Sequence, residues 1–157
     1  MSTKIVSHSI QQTWRLAEKL VGKYSFDLKE KPLVLALEGE LGTGKTTFTK
    51  GMEEILEVPR PVRSPGYILV REYFFNLNAN KGKLFHVDLW RTSDEAEIEK
   101  LKIVDLVEPP NILVIEWAQK APKLIDQICK MGDVNCVRVV FRHKGKNARE
   151  IEYEEIS

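Results

Sequence analysis

The stretch Gly39-Glu40-Leu41-Gly42-Thr43-Gly44-Lys45-Thr46 fits the pattern G-x-x-x-x-G-K-[ST]. Successive backbone N–H groups in a glycine-rich turn converge into a cradle for anions. A helix that starts directly after such a turn adds the positive end of its dipole. Lys45 has the reach for β- and γ-phosphates, and the Thr46 hydroxyl is a ligand for Mg²⁺. The chemistry implied is binding of a nucleoside triphosphate. A dinucleotide reading fits less well: Gly42-Thr43-Gly44 lacks the third glycine of that fingerprint, and a lysine follows directly.

Phosphate chemistry of this kind needs an acid on the Mg²⁺ side and a group that orients the attacking species. Two acids stand at the ends of apolar stretches, Asp88 in Phe85-His86-Val87-Asp88 and Glu116 in Ile112-Leu113-Val114-Ile115-Glu116. In α/β sheets, ligands gather at the carboxyl ends of strands, where Glu116 should fall. An ordinary strand-end carboxylate is the bland alternative for each. His86, alone in its strand with no second ligand at metal spacing, is expected to be structural. Trp14 belongs to an apolar helical face, and Trp117 is the tryptophan with a functional place.

The elements that would position these residues follow from periodicity. A helix is expected from an N-cap at Ser9, with Gln12 as capping-box partner, Ile10, Trp14, Ala17 and Val21 on one face, and Gly22 as its stop. Leu33 to Leu37 is a short, uninterrupted apolar run that suits a strand buried on both faces. After the glycine loop, Phe48, Met52, Ile55 and Leu56 share a helical face, which Gly51 weakens and Pro59 ends. A strand from Tyr67 to Phe75, a turn over Asn76 to Gly82 and a strand from Leu84 to Trp90 come next. Thr92 and Glu95 suggest a second capping box for a helix through Leu101. Ile112 to Ile115 is another buried strand, and Ala121 to Lys130 a helix. Two alternating runs around the turn Lys144 to Asn147 signal a hairpin. Helices and strands alternate, with antiparallel character at the end. The expectation is an α/β fold of P-loop NTPase-like type: one domain over residues 1–157, a mixed, mostly parallel sheet flanked by helices, and a C-terminal antiparallel hairpin.

Composition bounds the rest. The chain has 157 residues, 43% of them hydrophobic, and a net charge of +1 from 24 basic and 23 acidic residues. That balance excludes disorder and argues against a strong non-specific nucleic-acid binder. No apolar run approaches the roughly 20 residues of a membrane helix, and no signal peptide is evident. Cys129 and Cys136 form no CxxC, so a reduced, cytoplasmic protein with structural cysteines is expected. Arg138, Arg142, His143, Lys144, Lys146 and Arg149 make the hairpin basic. Contact with nucleic-acid phosphates is the alternative, but the neighbouring Glu150, Glu152, Glu154 and Glu155 favour a solvated hairpin end.

Four pieces together resemble a known family, TsaE (formerly YjeE), the small bacterial ATPases of tRNA threonylcarbamoyladenosine biosynthesis. They are the loop continued through Thr47-Phe48, the segment Val62-Arg63-Ser64-Pro65-Gly66-Tyr67-Ile68-Leu69-Val70-Arg71-Glu72-Tyr73, the segment Phe85-His86-Val87-Asp88-Leu89-Trp90-Arg91, and Ile115-Glu116-Trp117. The resemblance runs from Ser9 to about Pro122 in matching order and spacing. It implies that the loop residues Glu40, Leu41, Gly42, Thr43, Gly44, Lys45, Thr46 and Thr47 bind the phosphates of ATP. It also implies that Thr46, Asp88 and Glu116 serve Mg²⁺, that Lys45, Glu116 and Asp88 carry catalysis, and that Trp117 lies beside the nucleotide. Ser64 to Tyr67 resembles a switch-like loop. The implied partners are TsaB and TsaD, with tRNA reached through their complex. Gly66 stands where the family usually has threonine, and Trp90 where tyrosine is usual. Two other classes stay open on the residues, a small-molecule kinase and a nucleotide-dependent binding module without hydrolysis. A kinase usually carries an arginine-bearing lid, yet only lysines lie between Glu116 and Arg138.

Overall fold

A computed structural model describes residues 1–59 and 69–156. The elements are β1 (Thr3–Ser7), α1 (Ile10–Tyr24), β2 (Leu33–Gly39), α2 (Lys45–Leu56), β3 (Val70–Leu77), β4 (Asn80–Asp88), α3 (Glu95–Lys100), β5 (Ile112–Glu116), α4 (Pro122–Cys129), β6 (Asn135–Lys144) and β7 (Ala148–Glu155). Short 3-10 turns cover Ile103–Leu106 and Ala118–Lys120. The strands form a seven-stranded sheet in the order β1-β7-β6-β2-β5-β4-β3. β6, β2, β5 and β4 run parallel at its centre, while β3, β7 and β1 add antiparallel margins. The mixed α/β class with a C-terminal hairpin is therefore the observed one.

Strand alternation divides the core in two. Leu33, Leu35 and Leu37 of β2, with Ile112 and Val114 of β5, meet Leu16, Leu20 and Val21 of α1 and Phe48, Met52 and Leu56 of α2. Val34, Ala36, Leu113 and Ile115 point the other way, onto Ile98 of α3 and Ile125 and Ile128 of α4. β2 and β5 carry apolar residues on both faces because helices cover both, as parallel strands require.

Several local expectations shift. β1 carried no sequence signal: its edge position leaves most of Thr3–Ser7 exposed, so no apolar run marks it. α1 starts from its Ser9 cap as expected, but Gln12 Oε1 accepts from the backbone N–H of His8 rather than of Ser9. The helix continues past Gly22, since Tyr24 is still buried, and Ser25 closes it by donating to the Gly22 carbonyl. Ile10, expected on the apolar face, is exposed. The cap of α3 is Asp94, whose Oδ1 accepts from Glu97 N–H, while Glu97 reaches back to Ser93. Thr92 is engaged elsewhere, donating to the Leu89 carbonyl at 2.7 Å. The turn expected over Asn76–Gly82 shrinks to Asn78-Ala79, both at positive φ, which matches the twist of a two-residue hairpin. β4 ends at Asp88, which leaves Trp90 in a loop. Tyr67 and Ile68, expected in a strand, lie outside the described residues.

Cys129 and Cys136 depart from the expected reduced state. They are joined as a disulfide between the end of α4 and β6, with Cα atoms 5.8 Å apart. A separation of seven residues matches no cysteine motif, and it is the return of the chain from α4 into β6 that brings the pair together.

Gly51 has a packing reason. A Cβ built there would stand 2.7 Å from Trp14 Cα, so its absence lets α1 and α2 touch backbone to side chain. Gly51→Ala should therefore destabilise the chain by about 1–3 kcal/mol despite alanine's better helix propensity; denaturant unfolding checks this, and a gain in stability would show that the helices part freely. At the far end of α1, the Tyr24 hydroxyl donates to Glu155 of β7. Burial, then that carboxylate, pushes the phenol from 10.0 up to about 12. The folded state thus favours the protonated phenol, a stabilisation complete below pH 10 and lost as pH rises through 12. The drop in unfolding free energy across that window should shrink in Tyr24→Phe.

Candidate functional site

The glycine loop joins the C-terminal end of β2 to the first turn of α2, at the centre of the parallel strands. Gly42 and Gly44 have φ of +74° and +107°, which L side chains rarely adopt. Thr43 tightens the turn from inside, its buried hydroxyl donating to the Glu40 carbonyl at 2.7 Å. Lys45 opens α2 and folds back over the loop. Its Nζ donates to the carbonyls of Gly39 (2.7 Å) and Glu40 (2.8 Å) and lies 4.2 Å above the Trp117 ring. Burial pushes its ammonium below the ordinary lysine range, while the charges of Glu116, Asp88 and Glu40 oppose that shift.

The two acids come from adjacent parallel strands. Asp88 of β4 and Glu116 of β5 are register partners, so both strands end side by side. The period of two puts Leu84, His86 and Asp88 on the face of β4 that Ile112, Val114 and Glu116 share on β5, the face covered by α2. Glu116 is 2% exposed. Its Oε2 lies 3.0 Å from Thr46 Oγ1, and its Oε1 lies 3.3 Å from Thr49 Oγ1 and 2.9 Å from His86 Nε2. Asp88 Oδ1 accepts from the backbone N–H of Trp90 at 2.9 Å.

Lys45, Asp88 and Glu116 line one cavity of about 620 Å³, together with Leu41, Gly42, Gly44, Thr46, Thr47 and Trp117. The rest of its lining comes from segments outside the glycine loop and the two acid-bearing strands. Ser7, Ser9, Ile10 and Thr13 enter from the β1–α1 junction, Lys146 and Asn147 from the β6–β7 turn, and Arg149 from the start of β7. The basic hairpin thus splits. Arg138 pairs with Glu38 and Arg142 with Glu150 and Glu152, the solvated arrangement expected, while Lys146 and Arg149 border the cavity. Of the predicted loop residues, Glu40 and Thr43 line a different cavity, of about 310 Å³, behind the loop. The switch-like segment Ser64 to Tyr67, Gly66 included, lies outside the described residues. His86, expected to be merely structural, touches Glu116. Its spacing from Asp88 was the available signal, because a His-x-Asp pair on a strand shares one face.

Trp117 sits at φ +62° and packs against Trp90, ring centroids 4.4 Å apart. Gln119 donates to the Gly39 carbonyl at 3.2 Å, and Lys120 donates to the carbonyls of Trp90 and Thr92 at 2.7 and 2.8 Å. The loop after β5 is thereby tied both to the glycine loop and to the loop after β4.

A hydroxyl and a carboxylate 3.0 Å apart, with a second carboxylate in register beside them, suit a hard cation that keeps waters and shares phosphate oxygens. They do not make an all-protein cage: among the described residues, no group of three or more His, Cys, Asp or Glu side chains could hold a metal.

A strand–glycine loop–helix unit at the centre of a parallel core, with helices on both faces, is a P-loop NTPase-like α/β fold. The model of the family "Threonylcarbamoyl adenosine biosynthesis protein TsaE" matches residues 7–151. The tRNA threonylcarbamoyladenosine biosynthesis protein TsaE of Bacillus subtilis is 31% identical over 147 residues, 91% of this chain and 85% of that protein. The protein of the same name from Aquifex aeolicus is 35% identical over 119 residues, 74% of this chain and 77% of that one. That of Haemophilus influenzae is 37% identical over 98 residues, 62% and 60% of the two chains. The chain belongs to the TsaE family.

Proposed function

We propose that this chain is an Mg-dependent, ATP-binding and ATP-hydrolysing accessory protein of tRNA N6-threonylcarbamoyladenosine modification, acting in the cytoplasm with TsaB and TsaD. The observation that carries the proposal is the convergence of the glycine loop, Lys45, Thr46, Asp88 and Glu116 on one cavity. The names of its relatives supply the pathway. In this reading tRNA is met through the partner complex and not by the chain alone, and residues 1–157 work as a single ATPase domain.

The residues divide the work as their positions suggest. Phosphate oxygens replace the Gly39 and Glu40 carbonyls as acceptors for Lys45, whose partial desolvation strengthens such contacts. The N–H groups of Gly42, Gly44, Lys45 and Thr46 face the phosphates from the start of α2. Thr46, Asp88 and Glu116 would hold Mg²⁺, which when bound neutralises developing charge on the phosphates. Glu116 also orients the attacking water. Ser7, Ser9, Asn147 and Arg149 of the same cavity would meet the nucleoside, and Trp117, which lies under Lys45, would cover the phosphates.

Two variants separate binding from turnover. Lys45→Ala should weaken MgATP binding by about 10- to 100-fold, the loss expected for charge-assisted hydrogen bonds; unchanged affinity in a calorimetric titration would discard the loop assignment. Glu116→Ala should bind MgATP nearly as well as the parent yet hydrolyse it about 100-fold more slowly. Loss of both, together with unfolding, would make Glu116 a structural residue. Hydrolysis by the purified chain should be slow alone and rise when TsaB and TsaD of the same organism are added. A rate indifferent to them would leave a free-standing phosphotransferase if high, and a binding module if absent.

A further inference from the structure

His86 has no part in the chemistry just proposed, yet it touches that chemistry's central acid. The imidazole is fully buried. A carboxylate can only accept, so the ring hydrogen between the two residues sits on Nε2 and points at Glu116 Oε1, 2.9 Å away. Nδ1 is buried as well and has no hydrogen-bond partner among the described residues. A hydrogen on Nδ1 would be an unsatisfied buried donor, so hydrogen bonding favours the Nε2–H tautomer.

The other contacts of Glu116 are softer. Thr46 divides its hydroxyl between Oε1 at 3.2 Å and Oε2 at 3.0 Å. Thr49 has a closer acceptor in the Lys45 carbonyl, 3.1 Å against 3.3 Å to the carboxylate. Both hydroxyls rotate about a single bond. The imidazole is a rigid ring on a central strand, opposite Val114 in the β4–β5 register. Glu116 borders the cavity and His86 does not.

We propose that His86 is a positioning residue for Glu116: its Nε2–H holds Oε1 from behind, which turns Oε2 toward Thr46 and the cavity. His86 itself does not meet the nucleotide. The same arrangement recurs where a buried partner fixes the orientation of a group that acts, and loss of such partners typically reduces activity about 10- to 100-fold.

This inference rests on the proposed ATPase function, and the test separates the two. His86→Leu removes the donor at similar volume, whereas His86→Gln keeps an N–H donor at a comparable reach. With TsaB and TsaD present, His86→Leu should turn over MgATP about 10- to 100-fold more slowly while its affinity stays within about threefold, and His86→Gln should regain most of the rate. A filling role alone would not distinguish the two variants. Should His86→Leu fail to fold, His86→Asn, whose shorter amide stops short of Glu116, serves as the arm without a donor. Ring-nitrogen NMR on the folded parent chain supplies a readout independent of turnover: the hydrogen should reside on Nε2, and its resonance should move in Glu116→Gln. The proposal is overturned if the donor-free variant keeps the parent rate, if both variants slow equally, or if the hydrogen resides on Nδ1. A parent chain that hydrolyses no ATP with its partners would instead remove the ATPase function, and the nitrogen spectrum alone would then decide whether His86 holds Glu116.

Discussion

A carboxylate that is 2% exposed at the end of β5 is the constraint around which the site is organised. A buried carboxylate is tolerated only where donors replace the water it has lost. Glu116 obtains them from two elements distant in sequence, the hydroxyls of Thr46 and Thr49 on α2 and the imidazole of His86 on β4. The hydroxyl contacts tie the first turns of α2 to the end of β5. The loop is in turn fixed from within by Thr43 and from the side by Gln119. The phosphate binding proposed above would exploit an arrangement that a buried charge already demands.

The sheet makes that arrangement affordable to the fold. Parallel pairing of β2, β5 and β4 brings three strand ends to one edge, and both faces of β2 and β5 are sealed by apolar residues. At the carboxyl edge the alternation places polar groups, His86, Asp88 and Glu116, on the face toward α2. Lys45 completes the balance of charge. Its cation lies among carbonyl oxygens and an indole face, near both acids. The second tier, Lys120 across to the Trp90 and Thr92 carbonyls, links the loops after β4 and β5 into one unit.

Much of this was legible in the residues. The loop motif, the two flanking apolar strands, the acids at the strand ends and the C-terminal hairpin each follow from local pattern, and the family follows from four motifs in order. What could not be read depends on contacts between distant segments. β1 is an edge strand whose partner, β7, lies near the other end of the chain, so its own residues carry little apolar signal. Ser7, Asn147 and Arg149 reach the cavity only because that pairing exists. Capping of α3 slipped by two residues because Thr92 found a nearer acceptor in the preceding turn. The pairing of Cys129 with Cys136 arises from the path between α4 and β6, not from any spacing rule. The contact of His86 with Glu116 was hidden for a different reason. An isolated histidine in a strand reads as structural until its neighbour on the next strand is known.

Calorimetric titration of the purified chain with AMP, ADP and a non-hydrolysable ATP analogue, each with Mg²⁺, tests the central claim most directly. If the glycine loop, Lys45 and Thr46 form a phosphate site, affinity should climb with each added phosphate, and omission of Mg²⁺ should weaken the triphosphate most. Equal affinity for all three, or no binding of the triphosphate, would contradict the account.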